Sequence, residues 1–320
     1  MIRGSESAAL QREDIDVGNT LKRFLDGDIW HSFKQNRLVM IAALAAVICL
    51  FASAFAPLVA PHNPFDLKTL NLLDAFTPPS WTLAGKQQFL LGTDDQGRDV
   101  LSTIMYGSRV SLLVGFCAVM LSMFIGVSLG LISGYIGGSL DAFIMRVADI
   151  QLSFPAILIA LLIDGVARVA LPKGMHDQVA VYVLIFAIAA SGWVQYARTV
   201  RGSTLVERNK EYVQAARVIG RKPLAIMFTH VLPNVTGPVL VLGTLHIGTA
   251  IITEATLSFL GVGVPPTQPS LGTLIRIGND FLFSGEWWIT VFPGAALVIL
   301  VLSINVIGDW LRDALNPKLR

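Results

Sequence analysis

EYVQAARVIGRKPLAIMFTHVLPNV, residues 211 to 235, begins polar and basic and ends by opening a long apolar run. Tyr212, Ala215, Ala216 and Ile219 recur at helical spacing on one face, with Arg208, Glu211 and Arg217 largely on the other. Gly220 suits the left-handed position that closes a helix, and Pro223 suits the first turn of the next. The stretch therefore reads as a helix, a tight turn and a second helix that continues through Leu232-Pro233 into apolar sequence. Such a hairpin belongs at the surface of a membrane, between two spans.

The rest of the chain agrees. Of its 320 residues 53% are hydrophobic and 14% charged, and the mean hydropathy is +0.64, which is the composition of a polytopic membrane protein. A spanning helix needs about 20 mostly apolar residues. Six segments meet or approach that length: 38–60, 110–133, 147–163, 178–197, 231–252 and 287–308. The third is short and carries Asp149 and a helix-bending Pro155. The small residues Ala54 to Ala56 resemble a signal-cleavage site, but the 37 polar residues before this run, its length and the adjacent Pro57 argue for a retained first span.

Lys and Arg set the orientation, because they concentrate in cytoplasmic loops. With six spans and an inside N-terminus, inner segments hold 6, 1, 7 and 3 of them, together 17, and outer loops hold 4, 2 and 1, together 7. Both termini are thus expected in the cytoplasm. The organisation that follows is a cytoplasmic segment 1–37, with an amphipathic helix over 21–33; a first span 38–60; an outer loop 61–109; and a five-helix core 110–320, with a cytoplasmic loop near 198–230. In the outer loop Thr93 or Asp94 is expected to cap a helix, with Asp95 beside its positive end. The fold class is all-α.

Several chemistries find no support. Gly126-Val-Ser-Leu-Gly130 matches the G-x-S-x-G nucleophile pattern, but Ser128 lies within a helical span where no strand can present it. Gly126, Gly130 and Gly134, spaced by four, read instead as a packing stripe. Cys49 and Cys117 sit in apolar runs as small hydrophobes, and no His and carboxylate cluster suggests a metal. No GxxxxGK[ST] loop is present, so ATP-driven work would need a nucleotide site on another subunit. The net charge of +2 gives no basis for nucleic-acid binding. A secondary transporter or channel is the alternative class, although no internal repeat points to one.

The 33 residues from Arg198 to His230 hold 7 Lys and Arg against 2 Glu, a net of +5. Basic charge and an apolar face would suit anionic lipid headgroups. Two adjacent alanines suit a protein better, since they make a shallow patch where a partner can come close.

These residues resemble the EAA loop of inner-membrane permeases in binding-protein-dependent ABC importers. Gln214, Ala215, Ala216, Gly220, His230 and Leu232-Pro233 follow that pattern, with Gln214 where a glutamate is usual and Glu211 one turn earlier. "EYVQAARVIG" and "HVLPN" are most similar to the C-type subunits of the dipeptide and oligopeptide permeases. So are "LGTDDQGRDVLSTIMYGSRVSLLVG" at 91–115, "ITEATLSFLGVGVPP" at 252–266 and "NVIGDWLRDALNPKLR" at 305–320. The resemblance implies a type I importer permease in the bacterial inner membrane, paired with a B-type permease. It also implies two ATP-binding subunits carrying ATP and Mg, a periplasmic or lipid-anchored solute-binding protein, and no cofactor on this chain. Glu211, Tyr212, Gln214, Ala215, Ala216, Ile219 and Gly220 would couple to an ATPase. His246, alone near the middle of the fifth span, is a candidate for the substrate path or else a buried histidine bonded to a neighbouring helix; Glu254, about two turns farther, is a second path candidate whose favoured reading is a structural bond to the following loop.

Overall fold

The computed structural model describes residues 28–66, 70–172 and 175–315. Helices α1 (Asp28–Gln35) and α2 (Arg37–Ala54) are separated by Asn36, whose side chain accepts from the Leu38 and Val39 amides and so starts the first span. The expected amphipathic helix is seen in its second part only, since 21–27 lie outside the described residues. α1 rests on the far end of the chain: the Phe33 and Trp310 rings meet edge to face at 5.4 Å. The first span stops at Ala54, short of the expected residue 60, because Pro57 cannot continue the hydrogen-bond ladder and a separate turn, Ala56–Val59, begins.

α3 (Val100–Ile136) is longer at both ends than the expected 110–133. Its cap is Asp99, which accepts from the Ser102 amide at 2.9 Å, and not Thr93 or Asp94. Those two are occupied elsewhere. Thr93 accepts through its carbonyl from the Trp288 indole, and Asp94 folds over Arg98 at 2.6 Å while also accepting from the Gln96 and Arg98 amides.

The third expected span is a broken one. α4 (Gly138–Leu152) and α5 (Ala156–Ala170) meet at 94°. Pro155 excludes helical geometry from the residue before it, so the helix ends at Leu152 and restarts after the proline. Gln151 then holds the corner, donating to the Ala190 carbonyl and accepting from the Trp193 indole, both on α6 (Met175–Glu207). Among the described residues, five continuous helical stretches are long and apolar enough to span, and six if the bent pair counts as one.

α6 extends ten residues past the expected end at 197. Its charges are matched there: Arg201 forks onto Asp141 at 2.6 and 2.7 Å, and Arg198 pairs with Asp149. α7 (Glu211–Val218), α8 (Pro223–Ile226), a π turn (Met227–Val231) and α9 (Leu232–Phe259) follow, then α10 (Leu271–Asn279) and α11 (Trp288–Leu315).

The core forms where α3 packs along α6, with α9 and α11 beside them. The glycine stripe makes this possible. A methyl group on Gly126 would lie 2.5 Å from the Tyr196 Cβ, on Gly130 2.9 Å from the Val200 Cβ and on Gly134 2.7 Å from the Thr204 Cβ. Two backbones this close gain dispersion contacts that lipid tails cannot match, and this holds the pair in a solvent with little hydrophobic drive. α2 packs on α11 and α3 and leaves Leu38, Ile41, Leu44 and Phe51 outward, as lipid requires.

Candidate functional site

The hairpin predicted from residues 211–235 is present. α7 ends in a Schellman motif: the Arg221 amide donates to the Ala216 carbonyl at 3.1 Å and the Gly220 amide to the Arg217 carbonyl at 2.9 Å. Gly220 has φ +82°, and nothing lies within 4 Å of where its Cβ would be, so backbone conformation alone asks for glycine here.

The faces of α7 differ from the expected ones: Ala216 and Tyr212 turn toward their own chain, and Glu211 turns outward. Ala216 is only 5% exposed and Val213 is fully buried, both in the core cluster that contains Ile226, Met227 and Val231 of the returning segment. The two alanines are neighbours in sequence but lie 100° apart around the helix, so only Ala215 looks outward. Ala216 is therefore a packing residue of the hairpin and not part of its outer patch. The outward face carries Glu211, Gln214, Ala215, Val218 and Ile219, the last two 87% and 79% exposed. Exposed aliphatic side chains at this density on an eight-residue helix form a contact surface rather than a solvated one.

Charged and polar groups hold the inward edge of α7. The Tyr212 hydroxyl donates to the buried Glu207 carboxylate and accepts from the Asn234 amide at 3.1 Å. Burial, and then this bond to Glu207, pushes the phenol up to about 12, which keeps it a proton donor at physiological pH. Lys210 pairs with Glu207 at 2.8 Å, and the Tyr212 and His230 rings stack with an interplanar angle of 19°. Arg208 donates to the Gly134 and Tyr135 carbonyls at the end of α3, and Arg217 lies 5.1 Å over the Tyr135 ring. Glu207 and Asn234 are not picked out by spacing, and the bonds of Arg208 to the end of α3 are not either. Asn234 is 22 residues from Tyr212, and only the turn at Gly220 brings them together.

The two candidate path residues part company. His246 is half-buried beside a cleft of about 110 Å³, its Nε2 2.8 Å from the Gln195 Oε1 and its ring edge-on to Tyr196 at 4.9 Å. Ser122, Ser191, Thr249 and Thr253 line the same cleft, so it offers hydrogen bonds and no fixed charge. Glu254, in contrast, is completely enclosed. It accepts from the Ser111 and Ser258 hydroxyls, each at 2.7 Å, and Ser111 in turn accepts from the Leu271 amide. It joins α3, α9 and α10 and does not border the cleft. Of the two readings of Glu254 the structural one fits, because the α9 face two turns beyond His246 is covered by α3 and α10.

Among the described residues no cluster of three or more His, Cys, Asp or Glu could hold a metal, and Ser128 is a mid-helix residue of α3 beside an apolar groove.

Comparison with known proteins bears on the whole chain. Residues 126–320 match the profile of the binding-protein-dependent transport system inner membrane component, and residues 26–79 that of the N-terminal TM domain of oligopeptide transport permease C. The chain is 40% identical to the dipeptide transport system permease protein DppC of Haemophilus influenzae over 92% of its own length and 95% of the relative's. It is 42% identical to DppC of Escherichia coli (92% and 93%) and 38% identical to the oligopeptide transport system permease protein OppC of Bacillus subtilis (98% and 97%). A solved structure of the MetNI methionine ABC transporter superposes with a TM-score of 0.52 at 20% identity, covering 67% of this chain and 96% of that one, which shows the type I importer permease fold. The chain belongs to the family of inner-membrane components of binding-protein-dependent transport systems, in the C-type dipeptide and oligopeptide permease branch, and is a multi-pass inner-membrane subunit rather than an enzyme.

Proposed function

We propose that this chain is one of two permease subunits through which peptides enter the cell, working with a B-type permease, two ATP-binding subunits and a solute-binding protein outside. The observation that carries the reading is the outward face of α7. Val218 and Ile219 stand exposed on a short helix that is fixed to the membrane bundle at its other edge. An ATPase cleft closing on that face can move the spans, and ATP and Mg remain on the ATPase. The 17 to 7 distribution of Lys and Arg supports a cytoplasmic side for α7 and both termini.

The His246 cleft is the segment of the path that this chain contributes. Its hydroxyl, amide and imidazole groups can replace water around a peptide backbone without selecting for a charged side chain. Sequence choice is then left to the binding protein. Lipid covers the outward faces of α2.

Reconstitution in proteoliposomes tests the reading. Uptake of labelled dialanine should require all the partners and ATP. Uptake driven by an ion gradient with this chain alone would contradict it.

A further inference from the structure

The docking helix is short, and its own backbone joins it to α6 and to α8 only through Arg208–Lys210 and the turn at Gly220. A helix attached by such connections alone could swing without dragging the bundle. Side chains remove that freedom at three points. Glu207 is the last residue of α6, Asn234 lies in the first turn of α9, and Tyr135 is next to last in α3. The Tyr212 hydroxyl is shared by the first two, as donor to Glu207 and acceptor from Asn234. The third is held by Arg208 on its carbonyl and Arg217 over its ring. Asn234 also donates to the His230 carbonyl at 2.6 Å, across the π turn, where the helical ladder is widened and least able to carry force by itself.

We propose that the Tyr212 hydroxyl, held between Glu207 and Asn234, fastens α7 to the cytoplasmic ends of α6 and α9, so that displacement of α7 moves these spans as one body. Tyr212 is a positioning residue: its ring edge faces the bundle, while Ala215, Val218 and Ile219 face the partner. The inference rests on the reading of α7 as the docking helix and adds how motion leaves it. A hydrogen bond to a buried carboxylate suits this task because it is charge-assisted and directional, and Lys210 holds that carboxylate in place.

The test uses the complete importer in proteoliposomes, with labelled dialanine as the probe and dialanine moved per ATP hydrolysed as the readout. Asn234→Ala removes one partner of the shared hydroxyl, and Tyr212→Phe removes the hydroxyl itself while keeping the ring. Each should retain the ATPases on the permease yet lower the ratio by about fivefold or more, the low end of coupling between linked sites. Tyr212→Phe already removes both bonds of the hydroxyl, so the double variant should fall well short of the product of the two single losses. Glu207→Gln, which keeps a carbonyl acceptor, should be milder than either. A wild-type ratio in both single variants, or losses that multiply in the double, would overturn the fastening. Loss of the ATPases from Asn234→Ala would also overturn it, by making Asn234 part of the docking contact. Failure of the unaltered permease to retain its ATPases would instead defeat the reading of α7 as the docking helix.

Discussion

The two ends of the bundle are built from similar residues and behave oppositely. At the end carrying residues 61–99, Asp94 and Arg98 form an ion pair with only 4% of each side chain exposed, Asp99 caps α3, and Trp288 reaches across to the Thr93 carbonyl. At the other end, Glu207, Lys210, Tyr212 and Asn234 form an equally connected network, but the helix they hold keeps its aliphatic face in the open. The first end pairs its buried charges but leaves Arg98 Nη2 and Asp99 Oδ1 without a hydrogen-bond partner, and its exposed apolar residues, Leu72, Leu83 and Phe283 among them, are spread over loops and short turns. The second gathers Val218 and Ile219 on one helix end that a polar network fixes in place, which is the condition of a surface that another protein can meet. Polar pairing tells where the chain is held, and gathered apolar exposure tells where it is met.

The largest effect should come from breaking the closed end. Asp94→Ala leaves Arg98 buried without its partner, at a cost of about 3–5 kcal/mol. The purified permease should lose thermal stability, while the subunit that remains folded still retains its ATPases. Wild-type stability in this variant would mean that the pair is not the lock described here.

At the open end, Ile219→Asp should have the reverse profile. It places a charge at the centre of the outward face and should weaken ATPase binding by about 2 kcal/mol or more, roughly thirtyfold in affinity. Membrane level and melting temperature of the isolated permease should change little, since the side chain is 79% exposed. Co-purification with the ATPases reads the loss, and the comparison fails if they stay bound.

These two variants also mark what could be read from residues alone. The hairpin was legible because glycine and proline punctuate it, and the glycine stripe because a spacing of four has few other meanings. The Asp99 cap was not, since Thr93, Asp94, Asp95 and Asp99 all have capping side chains and only tertiary contacts decide which is free to cap. Ala216 was misplaced because helical spacing groups residues without saying which side the returning chain will cover. Glu254 and His246 lie on one apolar helix, and their spacing alone does not say which of its faces the neighbouring helices cover. α10 covers one and leaves the other open.

A smaller effect is expected at the turn. Gly220→Ala puts a Cβ into open space but into a left-handed conformation, which costs about 1 kcal/mol. Docking should weaken slightly and transport should persist. A complete loss would show that the turn also makes a contact of its own.

The central claim is that α7 turns one face to its own chain and the other to an ATPase. Cysteine crosslinking in the assembled importer tests it most directly, in a background lacking Cys49 and Cys117. Cysteines at positions 215, 218 and 219 should crosslink to an ATPase subunit through a short bifunctional reagent, and cysteines at 213 and 216 should not. Crosslinks from 213 and 216, or none from 218 and 219, would contradict the account.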